Sequence, residues 1–320
     1  MIIKPKALCE GDRVAVVSPT SFGEEDAVRK AELRIRALGL EPVMYPTCYS
    51  RYGYLSAKDE ERAKDLNNAF ADDSIKGIFC LKGGYGTMRI LKLLDYDMIR
   101  NNPKIFMGFS DITALHAAFN RICRMVTYHG PMAMSSYGKI KGDKVKFEAY
   151  TYDSLRKNIF TCEVPGTVEN PAGEALDSLA GGKAEGEIIG GNLSMLAATL
   201  GSPYEVDVKG KILFIEDIGE PLFKVDKMLT SLALAGKLDD CAGLILGSWI
   251  DCNQGYTGSE EDTGFDLEEV FKQIFLPFKK PIITNFKAGH CFPQPTIAFG
   301  THVIIDGDKK EIIFTESGNI

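Results

Sequence analysis

Between Gly11 and Met134 the chain alternates short apolar or β-branched runs with stretches of helical spacing. Of everything in the sequence, this order most restricts the possible folds. Repeated β–loop–α units are satisfied by a parallel sheet with helices on both faces. Arg13–Val17 reads as a strand ending in Ser18-Pro19-Thr20. Ala27–Leu38 has helical periodicity, and Gly39 closes it as a C′ residue. Pro42–Tyr45 is short and extended, and Ser56-Ala57-Lys58-Asp59 is a capping-box variant opening a polar helix through Phe70. Ile75–Leu81 predicts the next strand, followed by Lys82-Gly83-Gly84-Tyr85-Gly86 and a helix from Thr87 to about Leu94. Ile105–Gly108 is a further strand and Asp111–Ile122 a further helix. In such sheets chemistry collects at the carboxyl ends of strands, where both Gly84 and Ser110 fall.

The rhythm breaks from Gly138 to about Gly186, a polar stretch with Pro165, Gly166, Pro171, Gly173 and the Gly181-Gly182 pair. It reads as a linker and crossover. The expected division is an N-terminal α/β domain over 1–137, a linker over 138–186 and a C-terminal domain over 187–320. Within the last, Asn192–Leu200 and Lys224–Ala235 are helical, while Lys211–Ile215 and Ala242–Trp249 are strands. Pro281–Phe286 leads into Gly289-His290, and Thr296–Phe299, His302–Ile305 and Glu311–Thr315 read as a closing β-meander turning at Gly307-Asp308.

Composition narrows the class of function. The 320 residues are 45% hydrophobic and 25% charged, with a formal charge of −7. That is ordinary for a globular protein and argues against nucleic acid as a partner. No run reaches the ~18 apolar residues of a membrane span, and the first residues lack the apolar core of a signal peptide. A cytoplasmic setting without a membrane partner is the expectation. The eight cysteines are scattered with no C-x-x-C pair, which predicts reduced, mostly buried thiols and neither a disulfide framework nor a metal site. Cys291 beside His290 raises a thiol–imidazole dyad, but adjacent residues point apart.

Lys104–Leu115 carries the strongest chemical signal: an apolar strand stops at Gly108, turns over Ser110 and passes into a helix. This is the layout of a nucleophile elbow, which lifts a serine hydroxyl from the sheet edge and sets the next backbone N–H at a helix N-terminus. Ile112 stands where the usual G-x-S-x-G pattern has its last glycine, and a plain turn with an N-cap is the competing reading. A serine nucleophile needs a base and a group that orients the base. Of four histidines, His116 is carried away on the same helix and His302 lies in a C-terminal strand. His129, before Gly130-Pro131, rivals His290, which sits in a Gly- and Pro-flanked loop and is preferred on spacing. Glu216 is the first polar residue after Lys211–Ile215, and a buried carboxylate there must be hydrogen-bonded. Asp217 and Glu220 read as first-turn acids of the following helix. Gly83-Gly84-Tyr85-Gly86 could cradle a phosphate, but lacks the P-loop ending and the dinucleotide spacing. A backbone N–H from it would instead complete an oxyanion hole.

Taken in order, these segments resemble the LD-carboxypeptidase family of serine peptidases, which includes muropeptide LD-carboxypeptidases and microcin C self-immunity peptidases. The resemblance runs through Ser18-Pro19, the Tyr54–Phe70 helix with Arg62 and Asn67, Lys82–Gly86, Gly108–Thr113, His129-Gly130-Pro131, Gly190–Leu193, Phe214–Asp217 and Gly289-His290. It implies a Ser110–Glu216–His290 triad, preferring His290 to His129, with an oxyanion hole from the Gly84 and Asp111 N–H groups. It also implies a flavodoxin-like parallel sheet bearing the serine, a β-rich, barrel-like C-terminal domain bearing Glu and His, no cofactor, and a homodimer. The implied activity is release of the terminal D-Ala of murein tetrapeptides in cell-wall recycling. Gly83, Tyr85 and Arg89 are candidates for contacting substrate, Arg89 or the loop backbone for reading its carboxylate. The alternatives are an immunity-type hydrolase of aminoacyl-nucleotide conjugates and an inactive muropeptide- or nucleotide-binding sensor. After His290, Cys291–Thr296 departs from the family's usual run, which leaves the adjacent pocket wall open.

Overall fold

The computed structural model describes residues 2–135, 137–142, 144–252 and 266–320. Its strands are β1 (Arg13–Val17), β2 (Glu41–Met44), β3 (Ile75–Cys80), β4 (Ile105–Gly108), β5 (Thr127–His129), β6 (Gly138–Lys141), β7 (Lys144–Phe147) and β8 (Gly166–Val168). They continue as β9 (Asp177–Ala180), β10 (Lys183–Asn192), β11 (Ile212–Ile218), β12 (Gly243–Ile250), β13 (Ile282–Thr284), β14 (Ile297–Phe299), β15 (His302–Asp306) and β16 (Glu311–Phe314). The chain divides into two compact units. One comprises Met1–Glu163, Phe292–Gly300 and Ser317–Ile320; the other comprises Val164–Cys291 and Thr301–Glu316.

In the first unit the order β2-β1-β3-β4-β5 is parallel throughout, with β14 added antiparallel beside β5. This is the flavodoxin-like order, whose switch point lies between β1 and β3. The strands are nearly continuous apolar runs because helices cover both faces. Helix Glu25–Ala37 buries Val28, Ala31 and Ile35, one stripe at helical spacing, against Val14, Val16 and Phe79 of the sheet. Helix Asp59–Ala71 starts slightly later than the sequence pattern predicts. Its reciprocal cap is the Lys58 N–H donating to Glu61 Oε2 at 3.1 Å, while Ser56 is drawn off to the Ser18 carbonyl at 2.6 Å.

The expected closing meander is split. β14 pairs with β5, Ile297 facing His129, and only β15 and β16 form a hairpin, extended by β8. The chain end also returns to the first unit, where the Asn319 amide donates to the carbonyls of Asn158 and Thr161 at 2.8 Å. Pairing of β14 covers the edge of β5, which no local pattern reveals. The stretch read as a linker is likewise structured: β6–β7, helix Ala149–Ile159, β8, β9 and the start of β10. Its polarity reflects half-exposed strands, not the absence of structure.

The second unit holds an eight-stranded mixed sheet, β8-β16-β15-β10-β11-β12-β13-β9, parallel from β10 through β13. β9 and β10 stand four strand spacings apart in this order, about 19 Å if flat. Yet Gly181-Gly182 is the whole connection between them, and three Cα steps reach at most ~11 Å. The sheet therefore curls back on itself, the barrel-like form expected. No helix among the described residues is long and apolar enough to cross a membrane.

Candidate active site

Ser110 follows β4 and occupies the left-handed region, φ 65°. A serine there is strained by roughly 1–3 kcal/mol, a cost kept where the surroundings over-determine the turn. The chain then winds through a tight turn, Ser110–Ile112, into helix Thr113–Ala118. The N–H of Asp111 lies in this first turn, outside the i→i−4 ladder of the helix. The predicted helix over Asp111–Ile122 is thus three short pieces, the last a wide turn over Phe119–Cys123.

The loop after β3 lies directly against the elbow. A Cβ on Gly83 would fall 2.9 Å from Ser110 Cβ and 3.1 Å from its Oγ, so only a bare backbone fits. Thr87 binds loop and elbow together: its N–H donates to Asp111 Oδ2 at 2.9 Å and its Oγ1 to the Asp111 carbonyl at 2.6 Å. From the loop after β1, Thr20 Oγ1 donates to the carbonyls of Lys82 and Gly83 at 2.8 and 3.0 Å, and Tyr85 N–H donates to Ser21 Oγ at 3.2 Å. Gly83, Gly84, Ser110 and Asp111 are thereby gathered at the carboxyl edge of the sheet. Burial pushes the Asp111 carboxyl up to about 6, against the Thr87 hydrogen bonds that favour its charge.

The other proposed substrate contacts divide. Tyr85 is exposed, with its ring 5.8 Å from that of Tyr54. Arg89 is committed: its Nε lies 3.0 Å from both carboxylate oxygens of Asp59, and its Nη2 lies 2.9 Å from Oδ2. A guanidinium so paired is not available to read a free carboxylate without giving up Asp59.

In the second unit, Glu216 is completely buried within β11, which runs on to Ile218 and does not stop at Ile215. Its Oε2 accepts from the His290 N–H at 3.1 Å and lies 2.7 Å from His290 Nδ1. Gly289, at φ 102°, makes this approach feasible, because a Cβ there would meet Glu216 Oε2 at 2.4 Å. Burial raises the Glu216 carboxyl, opposed by His290. For His290, burial acts downward, but the hydrogen bond and charge of Glu216 outweigh it and the imidazole is raised.

Asp217 corrects an expectation. Successive strand residues face opposite sides of a sheet, and Asp217 turns to the N-terminus of helix Leu193–Ala198. It accepts from Asn192 Nδ2 at 2.7 Å, Ser194 N–H at 3.0 Å and Ser194 Oγ at 2.7 Å. It therefore serves the preceding helix, not the following one. Glu220 stands just before helix Leu222–Leu234 and pairs with Lys224 at 3.5 Å.

The remaining histidines are built into the framework. His116 is fully buried, its Nε2 2.9 Å from the Gly108 carbonyl, and burial lowers it to about 4. His129 is fully buried between the rings of Phe109 and Phe299. His302 Nδ1 lies 2.8 Å from Thr315 Oγ1. None of the eight cysteines is in a disulfide, and burial raises the Cys291 thiol, which keeps it from being a thiolate. No cluster of ligating side chains suited to a metal occurs among the described residues. Trp249 packs on Phe271 with ring centroids 4.9 Å apart.

Comparison with known proteins agrees with this architecture. Residues 14–130 match the LD-carboxypeptidase N-terminal domain and residues 185–305 the LD-carboxypeptidase C-terminal domain. A Bacillus subtilis protein described as "Probable murein peptide carboxypeptidase" is 37% identical, over 97% of this chain and 93% of its own. The solved structure of the microcin C7 self-immunity protein in complex with aspartyl sulfamoyl adenosine superposes with a TM-score of 0.87 at 26% identity, covering 99% of this chain and all of that one. Muramoyltetrapeptide carboxypeptidase from Oxalobacter formigenes gives 0.78 at 25% identity, over 95% and 99% of the two chains.

Proposed function

The chain belongs to the LD-carboxypeptidase family, and from that premise we propose that it releases the terminal D-Ala of murein tetrapeptides in cell-wall recycling. It is a serine-type carboxypeptidase. The observation that most supports the mechanism is the buried Glu216 carboxylate held 2.7 Å from His290 Nδ1. That bond leaves Nε2 as the basic nitrogen, the tautomer a general base requires.

His290 Nε2 takes the Ser110 proton, and Ser110 Oγ attacks the carbonyl of the L-residue. The N–H groups of Gly84 and Asp111 hold the oxyanion. His290 then protonates the departing D-Ala amine, and water, deprotonated by the same imidazole, hydrolyses the acyl-enzyme. Loss of one oxyanion donor in such a site costs ~10²–10³-fold in rate. The Ser110 elbow supports this reading by its strained turn, and Gly83 by lying against the serine. No cofactor enters these steps. We place the enzyme in the cytoplasm, consistent with eight cysteines outside any disulfide, and as a homodimer, which light scattering tests.

Similarity to the self-immunity protein supports a second reading: cleavage of an aminoacyl-nucleotide conjugate by the same three residues. One experiment separates the two. Digests of murein tri-, tetra- and pentapeptides and of an aminoacyl-sulfamoyl adenosine are analysed by mass spectrometry. Release of D-Ala from the tetrapeptide, with the D-Ala-D-Ala end of the pentapeptide uncut, is expected. Cleavage of the conjugate without D-Ala release moves the protein to the second reading.

A further inference from the structure

Arg62 is among the largest side chains fully buried in the protein. It lies in the first turns of helix Asp59–Ala71, and a buried charge this size persists only with its donors satisfied. Its Nε donates to the Ala57 carbonyl at 3.2 Å, and Nη1 donates to the carbonyls of Pro19 and, at 2.9 Å, Gly86. Nη2 donates to Asp59 Oδ1, whose carboxylate also holds Arg89. Those two pairings keep Asp59 ionised, below the usual carboxylate range.

The placement of these acceptors is the informative part. Pro19 follows β1 and Gly86 ends the loop after β3, so one guanidinium joins the two loops that flank the switch point. The Gly86 backbone is shaped around it: φ is 133°, and a Cβ there would meet Arg62 Nη1 at 2.6 Å. The segment so held, Gly83–Gly86, lies against Ser110 and contains Gly84.

We propose that Arg62 is a positioning residue for the oxyanion loop, its planar fork setting the Gly84 N–H relative to Ser110 through the Gly86 and Pro19 carbonyls. This rests on the serine mechanism above but not on the identity of the substrate. A lysine keeps the charge and loses the fork, so Arg62→Lys separates the two contributions. A shift of ~1 Å in a group that acts on the transition state costs ~10²-fold.

The test measures the rate at which an alkyl fluorophosphonate labels Ser110, since its phosphoryl oxygen occupies the oxyanion position whatever the natural substrate. Arg62→Lys is expected to label ~10²-fold more slowly per folded molecule, with kcat for the tetrapeptide falling in parallel and KM within about threefold. Added guanidinium is expected to restore much of the labelling rate to Arg62→Gly. Asp59→Asn, which leaves Arg62 in place with a weaker anchor, is expected to show the same kcat-selective loss at ~10-fold, and it decides the matter if the Arg62 variants do not fold. Labelling by folded Arg62→Lys at the native rate overturns the proposal, as does a loss confined to KM or to thermal stability, or an Asp59→Asn enzyme of native rate. Wild-type enzyme that labels at Ser110 but releases no D-Ala overturns the substrate assignment alone.

Discussion

The two units hold their proposed reactive groups by different physics. In the first, Ser110 is presented by backbone geometry: a left-handed turn between strand and helix, closed over by a glycine loop and two threonine hydroxyls. In the second, His290 is held by a side chain, the buried carboxylate of Glu216, 74 residues away in sequence. A backbone-built feature tolerates side-chain change around it but not a change of φ. A side-chain-built feature depends on one partner's charge and shape, and single isosteric substitutions expose that dependence.

The largest effect breaks the comparison at the proposed nucleophile. Ser110→Ala is expected to lower turnover by at least ~10⁴-fold. Ser110→Gly should be equally inactive yet about 1 kcal/mol more stable than Ser110→Ala in denaturant melts, because glycine relieves the positive φ. Equal stability of the two would mean the elbow stores no strain.

Next comes the orienting carboxylate. Glu216→Gln should fold yet lose ~10³–10⁴-fold in kcat through the wrong imidazole tautomer. Asp217→Asn should instead lower thermal stability by about 1–2 kcal/mol, as a lost helix cap does, and keep its turnover. The opposite pattern would transfer the catalytic role to Asp217. A smaller loss, ~10²-fold, is expected for Gly289→Ala, whose Cβ displaces the carboxylate from the imidazole; native kcat there would show that the pair has slack.

The pH profile sharpens the same point. In the proposed mechanism His290 acts as a base only when neutral, and Glu216 raises its proton affinity. The acidic limb of kcat/KM should therefore lie above the ordinary imidazole value of about 6.5. Glu216→Gln should move that limb down, whatever its height. For stability the sign is fixed by the same shift: a raised imidazole contributes most below its unfolded value, and the contribution disappears as pH rises through the folded value. A limb below 6.5 in the native enzyme would contradict the pairing. The smallest effect belongs to Cys291→Ala and to chelators, both expected to leave kcat within about threefold: the thiol is held protonated, and the described residues hold no cluster of metal-ligating side chains. Loss of activity restored by zinc would overturn the serine mechanism.

Legibility followed the same division. The elbow was readable because strand, Gly108, one residue, Ser110 and helix are contiguous, and a turn's φ/ψ energetics are local. The same holds for the Gly83–Gly86 loop and the order of the first units. Asp217 was misassigned because β11 runs past Ile215, which only its pairing with β10 and β12 reveals. Arg62 is one of two basic residues in a polar helix, the other being Lys64; its acceptors lie at Pro19, Ala57, Asp59 and Gly86, and no spacing rule joins them.

By itself, then, the sequence determined the parallel α/β class, the serine turn and the set of residues able to act as base and acid, since these follow from periodicity, backbone preference and functional-group chemistry. Tertiary structure decided that β14 leaves the C-terminal hairpin for β5, that Glu216 and not Asp217 meets His290, and that Arg62 joins the loops after β1 and β3. Each of those depends on hydrogen bonds between groups far apart along the chain, whose formation is settled by the whole buried arrangement and not by any neighbouring residue.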